Sequence, residues 1–163
     1  MSPTLINVFK TVPKELFRVN NGRAVRLREW SLQRQRSYDI LTDAGKVSAK
    51  ALDPKTYRKP NGASMRPNSA FQKRLVSSLK GANTIVYAVP AGVPLPDDLI
   101  LVHEHTDHYS LQAAKEMTLP ELNDKITNFL QFKGRVFSKD QWLQAYPQPT
   151  KPSNPPKPTK RNV

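Results

Sequence analysis

The chain has 163 residues and no cysteine, which fits a single domain and excludes disulfides, thiolate zinc sites and cysteine nucleophiles. Its 26 Lys and Arg against 13 Asp and Glu give a net charge of +13, so we expect partners that carry negative charge, such as nucleic acid or acidic proteins. No segment approaches the roughly 18 apolar residues of a membrane span, and the N-terminus lacks the apolar core of a signal peptide. These features predict a soluble protein.

The first part of the chain is rich in arginine. Residues 1–11 are weakly apolar and are expected to form an arm ahead of a domain over residues 12–146. Glu15–Asn20 is typical of a short strand, in which alternation presents Arg18 on the face opposite its apolar neighbours. Residues 23–36 hold five arginines among apolar residues. They form either a solvated amphipathic segment or an anion-facing surface.

Short elements and turns are predicted over the next stretch. Tyr38–Leu41 is expected to be a strand that is closed by a turn at 43–45. Residues 53–69 contain three prolines and an Asn-Gly pair, which favours a structured loop rather than an element. A helix over Ala70–Lys80 follows, capped by Ser69 or its neighbour.

Two strands and two helices complete the predicted domain. Thr84–Val89 and Leu99–Val102 are apolar runs that flank a connection rich in Gly and Pro, which is typical of strands. Capping-box patterns at Thr118 and Ser138 predict a long helix and a last short one. Residues 147–163 contain six prolines, which predicts a disordered or polyproline-like tail.

The three histidines lie together in the sequence HEHTDH, which is similar to the metal-binding signature of the metallo-β-lactamase superfamily. Such spacing can bring imidazoles and a carboxylate onto a zinc pair, so a zinc-dependent hydrolase is one interpretation. No histidine follows His108 to supply downstream ligands. Strand alternation also separates His103 and His105 from His108, which favours ordinary hydrogen-bonded histidines at a strand end. We therefore expect no metal.

A set of short motifs in a fixed order points to a toxin family. The motifs are LFRV, RSYDI, NGAS, VPAGVPLPDDL and HYSLQ, and they fall within residues 16–130. In this order they resemble the ADP-ribosyltransferase-like toxins of bacterial type VI secretion, the group of the second such effector described in Pseudomonas, which has relatives in fungi.

This resemblance implies an α+β fold: an ADP-ribosyltransferase-like core of two packed antiparallel sheets with flanking helices and a cleft that binds NAD. Arg18 and Arg36 would hold the dinucleotide, because arginine's rigid fork of donors suits a pyrophosphate. Ser64 would support the nicotinamide ribose. It ends the loop that also contains Gly62 and Ala63, which would lie against the cofactor.

The resemblance also implies roles for side chains around the last motif. Tyr109 or Tyr57 would stack on the nicotinamide. His108 would orient a hydroxyl or take the acceptor's proton. Glu104, four residues before His108, or Gln112, just after it, would line the cleft where well-studied ADP-ribosyltransferases place a glutamate that grips the ribose.

The function implied is that of a toxin that acts in the cytoplasm, with NAD⁺ as cofactor and an unidentified macromolecule as acceptor. Transfer to that acceptor, glycohydrolysis of NAD⁺ and binding without turnover are all open. A cognate antitoxin, acidic to match the net charge of +13, would occlude the cleft. The alternative is a non-enzymatic module whose arginines and basic tail bind nucleic acid nonspecifically, without a recognisable motif.

Overall fold

The computed structural model describes residues 6–33, 35, 37–53, 55, 57 and 60–150. Over these residues the chain alternates short strands with three α-helices and one 3-10 turn at Lys50–Leu52. The strands are β1 (Asn7–Phe9), β2 (Leu16–Asn21), β3 (Lys46–Val47), β4 (Ala63–Met65), β5 (Thr84–Val89), β6 (Leu99–His105), β7 (His108–Ala113), β8 (Met117–Thr118) and β9 (Arg135–Ser138). The helices are α1 (Ala70–Ser78), α2 (Leu119–Lys133) and α3 (Lys139–Ala145).

The strands form three antiparallel sheets. Their orders are β1-β6-β7-β4, β2-β5-β9 and β3-β8. The two larger sheets meet where β2 passes the end of β4: Phe17 donates its N–H to the carbonyl of Arg66 at 2.7 Å, and Arg66 returns the bond at 2.9 Å. This junction brings the middle of β2 beside β4. The prediction of an α+β chain with antiparallel sheets is confirmed.

Alternation along the strands divides the buried side chains between two layers. Leu16, Tyr87 and Leu111 belong to the main core, which the larger sheets share with α2. Phe17 points the other way, into a second cluster under α1 and α3, where its ring meets Trp142 edge-on at 5.4 Å. Each fully buried side chain of this size stabilises the fold by about 1.5–3 kcal/mol, so both faces of β2 are fixed by packing.

The helix ends follow their local sequence signals. Ser69 caps α1 by accepting the N–H of Gln72 at 3.1 Å. Thr118 and Ser138 each form a complete capping box, and Gly134 ends α2 by donating its N–H to Leu130 at 2.9 Å. The predicted helices are confirmed, because caps depend only on neighbouring residues.

Several predictions about the strands and loops differ from the structure. Asn7–Phe9, expected to be part of an arm, forms β1 and pairs with β6. Ile40 makes an isolated bridge to Glu29 rather than a strand. The loop predicted over 53–69 contains β4, because its end finds β7 as a partner. Such short segments pair only because tertiary structure supplies a neighbouring edge.

The start of the predicted tail lies on the domain. Thr150 donates its N–H to the carbonyl of Asn68 at 2.9 Å, and the Asn68 amide donates to the carbonyl of Gln148 at 3.1 Å. The rest of the predicted tail, residues 151–163, lies outside the described residues. Among the helices of the described part, none combines the length and the apolar character that a bilayer crossing requires.

Candidate functional site: a serine–histidine–glutamate chain beside an arginine cleft

Arg18 and Ser64 lie together because the two larger sheets meet beside them. The guanidinium of Arg18 donates from Nη1 to the carbonyl of Ser64 at 3.1 Å and from Nε to Oδ1 of Asn20 at 3.2 Å. Asn20 is itself held, since its amide donates to the carbonyls of Gly22 and Ala24 at 2.8 and 2.9 Å. Burial lowers the pKa of Arg18 to about 10, so the guanidinium remains charged at neutral pH.

Ser64 opens a chain of polar contacts that leads into the protein. Its Oγ lies 3.0 Å from Nε2 of His108, and Nδ1 of His108 lies 2.7 Å from Oε1 of Glu104. The side chain of His108 is 17% exposed and that of Glu104 only 1%. A carboxylate this close to Nδ1 favours the tautomer with its proton on that nitrogen, and in that tautomer Nε2 accepts the proton of the serine hydroxyl. Ser64, His108 and Glu104 therefore follow the order of a hydroxyl, a base and a carboxylate that orients the base.

Glu104 is fixed from behind by a second group of buried polar residues. The hydroxyl of Tyr57 donates to its Oε2, and the Gln112 amide donates to the Tyr57 hydroxyl at 2.8 Å. Asn61 in turn donates to Oε1 of Gln112 at 3.1 Å. Burial and the hydrogen bond with Glu104 raise the pKa of Tyr57, so it remains a donor. The Tyr57 bond satisfies Oε2 of a carboxylate that is costly to bury, while Oε1 faces Nδ1 of His108.

The geometry of the β6–β7 hairpin makes this arrangement possible. His103 pairs with Tyr109 and His105 pairs with His108, so Glu104 is the extra residue at a register shift between the two pairs. Thr106, with a φ of 30°, turns the chain at the tip. Such a bulge sets two residues against one on the partner strand and re-aims a side chain, so the Glu104 carboxylate reaches the His108 imidazole.

The three histidines do not converge. His103 stacks on Tyr109 with ring centroids 4.3 Å apart and meets the carbonyl of Thr106 at 2.8 Å. His105, which simple alternation places with His103, instead stacks on His108 at 5.2 Å, because the register shift re-aims it. Within the described ranges no group of three metal-ligating side chains is placed to hold an ion. The zinc-hydrolase alternative gains no support.

Ser64 also lies on the wall of a cleft of about 820 Å³ that is lined by arginine. Of the described residues that line it, five are arginines and one, Asp39, is acidic; the arginines are Arg18, Arg23, Arg26, Arg28 and Arg66. Asp39 is engaged by Arg28 at 3.2 Å through both carboxylate oxygens, and this bond raises the pKa of Arg28. The remaining arginines give the cleft a strongly positive field.

A second groove, of about 550 Å³, runs along α2 beside Phe129 and Phe132. It shares no lining residue with the arginine cleft. Its walls are largely apolar and carry none of the groups that contact Ser64 or His108.

Other residues predicted for the site take different positions. Ala63 and Tyr109 are buried in the main core, on the face of their strands opposite Ser64 and His108, so they do not line the cleft. Gly62 is wedged against β7: a Cβ there would lie 2.1 Å from the carbonyl oxygen of Leu111. The absence of a side chain at position 62 lets the chain approach β7 closely, and this approach positions Ser64. Arg36 lies outside the described residues.

The positions of Glu104, Gln112 and Tyr57 differ from those predicted. Glu104 and Gln112, expected to line the cleft, are 2% and 0% exposed. Tyr57, a candidate to stack on nicotinamide, instead donates to Glu104. Of the three, only Glu104 contacts His108; Gln112 and the partly exposed Tyr57 support Glu104 from its other side. Arg66 was missed because its place in the cleft depends on the bridge to Phe17, a contact 49 positions away that no local pattern reveals.

The comparisons with known proteins give one match. A family model described as Tse2 ADP-ribosyltransferase toxin matches residues 14–142, which include β2, β4 and the β6–β7 hairpin. The searches against curated proteins and against solved structures found no match.

Proposed function

Because the chain belongs to the Tse2 ADP-ribosyltransferase toxin family, we propose that it transfers the ADP-ribosyl group of NAD⁺ to a macromolecule inside cells. The observation that carries this proposal is that Arg18 and Ser64 line one cleft and that Ser64 contacts His108 behind it. A cation for phosphate, a hydroxyl and a base are the groups that such a transfer requires.

The cleft suits the substrate's phosphates. Arg18 uses two of its donors on Asn20 and Ser64, which fixes the plane of its guanidinium while other donors remain for a ligand. Preorganised arginine forks bind phosphate oxygens more strongly than neutral donors do. NAD⁺, when bound here, supplies an ADP-ribosyl group whose bond to nicotinamide is the one to be broken.

The contact from Ser64 to His108 supports a proton relay. An attacking hydroxyl or amine must lose its proton as it forms the new bond, and Ser64 can pass that proton to Nε2 of His108. Glu104 then stabilises the imidazolium through Nδ1 at 2.7 Å. Glu104 therefore acts as a positioning residue rather than as a group that touches the ribose.

Expression toxicity with parallel product analysis tests the function. We expect the wild type to stop growth, to deplete NAD⁺ and to yield ADP-ribosylated product, and Ser64→Ala and His108→Ala to lose all three effects. Ser77→Ala, an exposed serine of α1, is the matched control and should remain toxic. Toxicity without any NAD⁺-derived product would contradict the proposed reaction.

A further inference from the structure

The arginine cleft holds more positive charge than a dinucleotide can neutralise. The pyrophosphate of NAD⁺ needs only a pair of cations, yet the described lining contains five arginines against Asp39 alone. Arg23 and Arg26 are exposed, and neither side chain forms an ion pair with another described residue. Uncompensated like charges repel one another, so this cluster is best explained by a polyanionic ligand that extends beyond the dinucleotide.

A stacking surface adjoins the cleft. The guanidinium of Arg66, a cleft residue, lies over the ring of Phe71 at 4.9 Å from its centroid. Phe71 lies in the first turn of α1 and is 49% exposed, although an aromatic side chain of this size gains by burial. Exposed aromatic and guanidinium planes beside a basic groove are the features on which unpaired bases stack.

We propose that the acceptor bound in this cleft is a single-stranded nucleic acid, with its phosphates on Arg23 and Arg26 and a base against the Arg66–Phe71 pair. This inference rests on the proposed function and names the class of its acceptor. An acidic protein would also be electrostatically complementary to the cleft. It would leave the exposed ring of Phe71 without a role, which is why the nucleic acid is favoured.

The chemical step balances without a further reagent. The glycosidic bond between nicotinamide and its ribose breaks, and nicotinamide leaves with the bonding electron pair as a neutral molecule. A nucleophilic oxygen or nitrogen of the nucleic acid forms the new bond to the ribose carbon. The proton that this nucleophile loses passes through Ser64 to His108 and then to water.

Binding and transfer to a short fluorescein-labelled single-stranded RNA, with labelled NAD⁺, test the proposal on the full chain. Across a series of salt concentrations, Arg23→Ala combined with Arg26→Ala should reduce the slope of log affinity against log salt by about 1.4, because each phosphate contact with a single strand contributes about 0.7. The matched control, Lys115→Ala combined with Lys133→Ala, removes two exposed charges that do not line the cleft, and it should retain the wild-type slope.

The stacking surface has its own matched pair of variants. Phe71→Ala should weaken RNA binding roughly 10-fold or more through the loss of one stacked base. Phe132→Ala removes a ring that is 82% exposed and lies in the separate groove, so it should have no such effect. Equal affinities for Phe71→Ala and the wild type would overturn the assignment of the stacking surface.

The outcomes separate this inference from the proposed function. Labelled ADP-ribose on the RNA, lost in the cleft variants and retained in both controls, supports the acceptor assignment. Nicotinamide release with label only on protein or in water overturns the assignment alone, as does displacement of the RNA by polyglutamate at matched charge. If no nicotinamide is released under any condition, the proposed function fails and the acceptor assignment falls with it.

Discussion

Replacing Glu104 with glutamine isolates the part that the buried carboxylate plays. The Tyr57 hydroxyl accepts from the Gln112 amide at 2.8 Å, so its proton must point at residue 104. In Glu104→Gln the side-chain oxygen must therefore accept from Tyr57, which turns the new amide group towards Nδ1 of His108. Nδ1 must then accept, and the ring proton moves to Nε2.

This change of tautomer removes the acceptor that Ser64 needs. Nε2, 3.0 Å from the serine Oγ, can no longer take its proton. General-base catalysis contributes about 10²–10⁴-fold to a rate, so kcat should fall by that factor, or about 3–5 kcal/mol of barrier. KM should change little, because the Glu104 side chain is 1% exposed and touches no substrate.

The assay is release of nicotinamide from labelled NAD⁺ by purified protein, with urea denaturation to verify folding. The glutamine keeps the shape and the hydrogen bonds of the site, so the free energy of unfolding should change by less than about 1 kcal/mol. Glu116→Gln changes an exposed carboxylate and serves as the matched control with wild-type kinetics. A folded Glu104→Gln protein with wild-type kcat would refute the reasoning.

Three further predictions concern residues that support the site. Arg18→Met should weaken NAD⁺ binding roughly 10-fold or more through the loss of charged phosphate contacts. It should also lower the unfolding free energy by about 1–3 kcal/mol, because Asn20 Oδ1 and the Ser64 carbonyl lose their donor. Calorimetric titration and urea denaturation measure the two effects. Gly62→Ala should destabilise the fold by about 3 kcal/mol or more, because the new Cβ would lie 2.1 Å from a backbone oxygen. Gly81→Ala is the control and should be tolerated, because the nearest atom to its Cβ is a side-chain oxygen at 3.3 Å. Equal urea midpoints for the two variants would contradict this prediction. Thr118→Ala should cost about 1 kcal/mol by removing the cap of α2, or about 2–4 °C in Tm, and an unchanged Tm would show that the cap contributes nothing.

The sequence predicted the helices well and the strands unevenly. Ser69, Thr118 and Ser138 cap helices through residues within one turn, so their signals are local. β1, β4 and β9 were not predicted as strands, because segments this short become strands only when a distant edge pairs with them. Register shifts such as the one before His105 also depend on the partner strand, and alternation alone cannot locate them.

The candidate site was predictable where a motif or strand alternation identified its residues. Ser64, His108 and Glu104 were all named through the family resemblance, although Glu104 was expected in the cleft rather than beside Nδ1 of His108. The bonds that Gln112 makes with Tyr57 and Asn61 join residues 55 and 51 positions apart, which no periodicity encodes. The arginine cleft likewise joins two segments of the chain, one ending at Arg28 and the other centred on Arg66, that only the sheet junction brings together.

The central claim is that Ser64 and His108 act as one unit on NAD⁺, and a double-mutant cycle on nicotinamide release tests it most directly. Residues that act as a unit are strongly non-additive. We predict that Ser64→Ala and His108→Ala each lower kcat by roughly 100-fold or more, and that the double variant is no slower than the slower of the two single variants. Independent, multiplying losses would contradict the account, as would full nicotinamide release by folded His108→Ala.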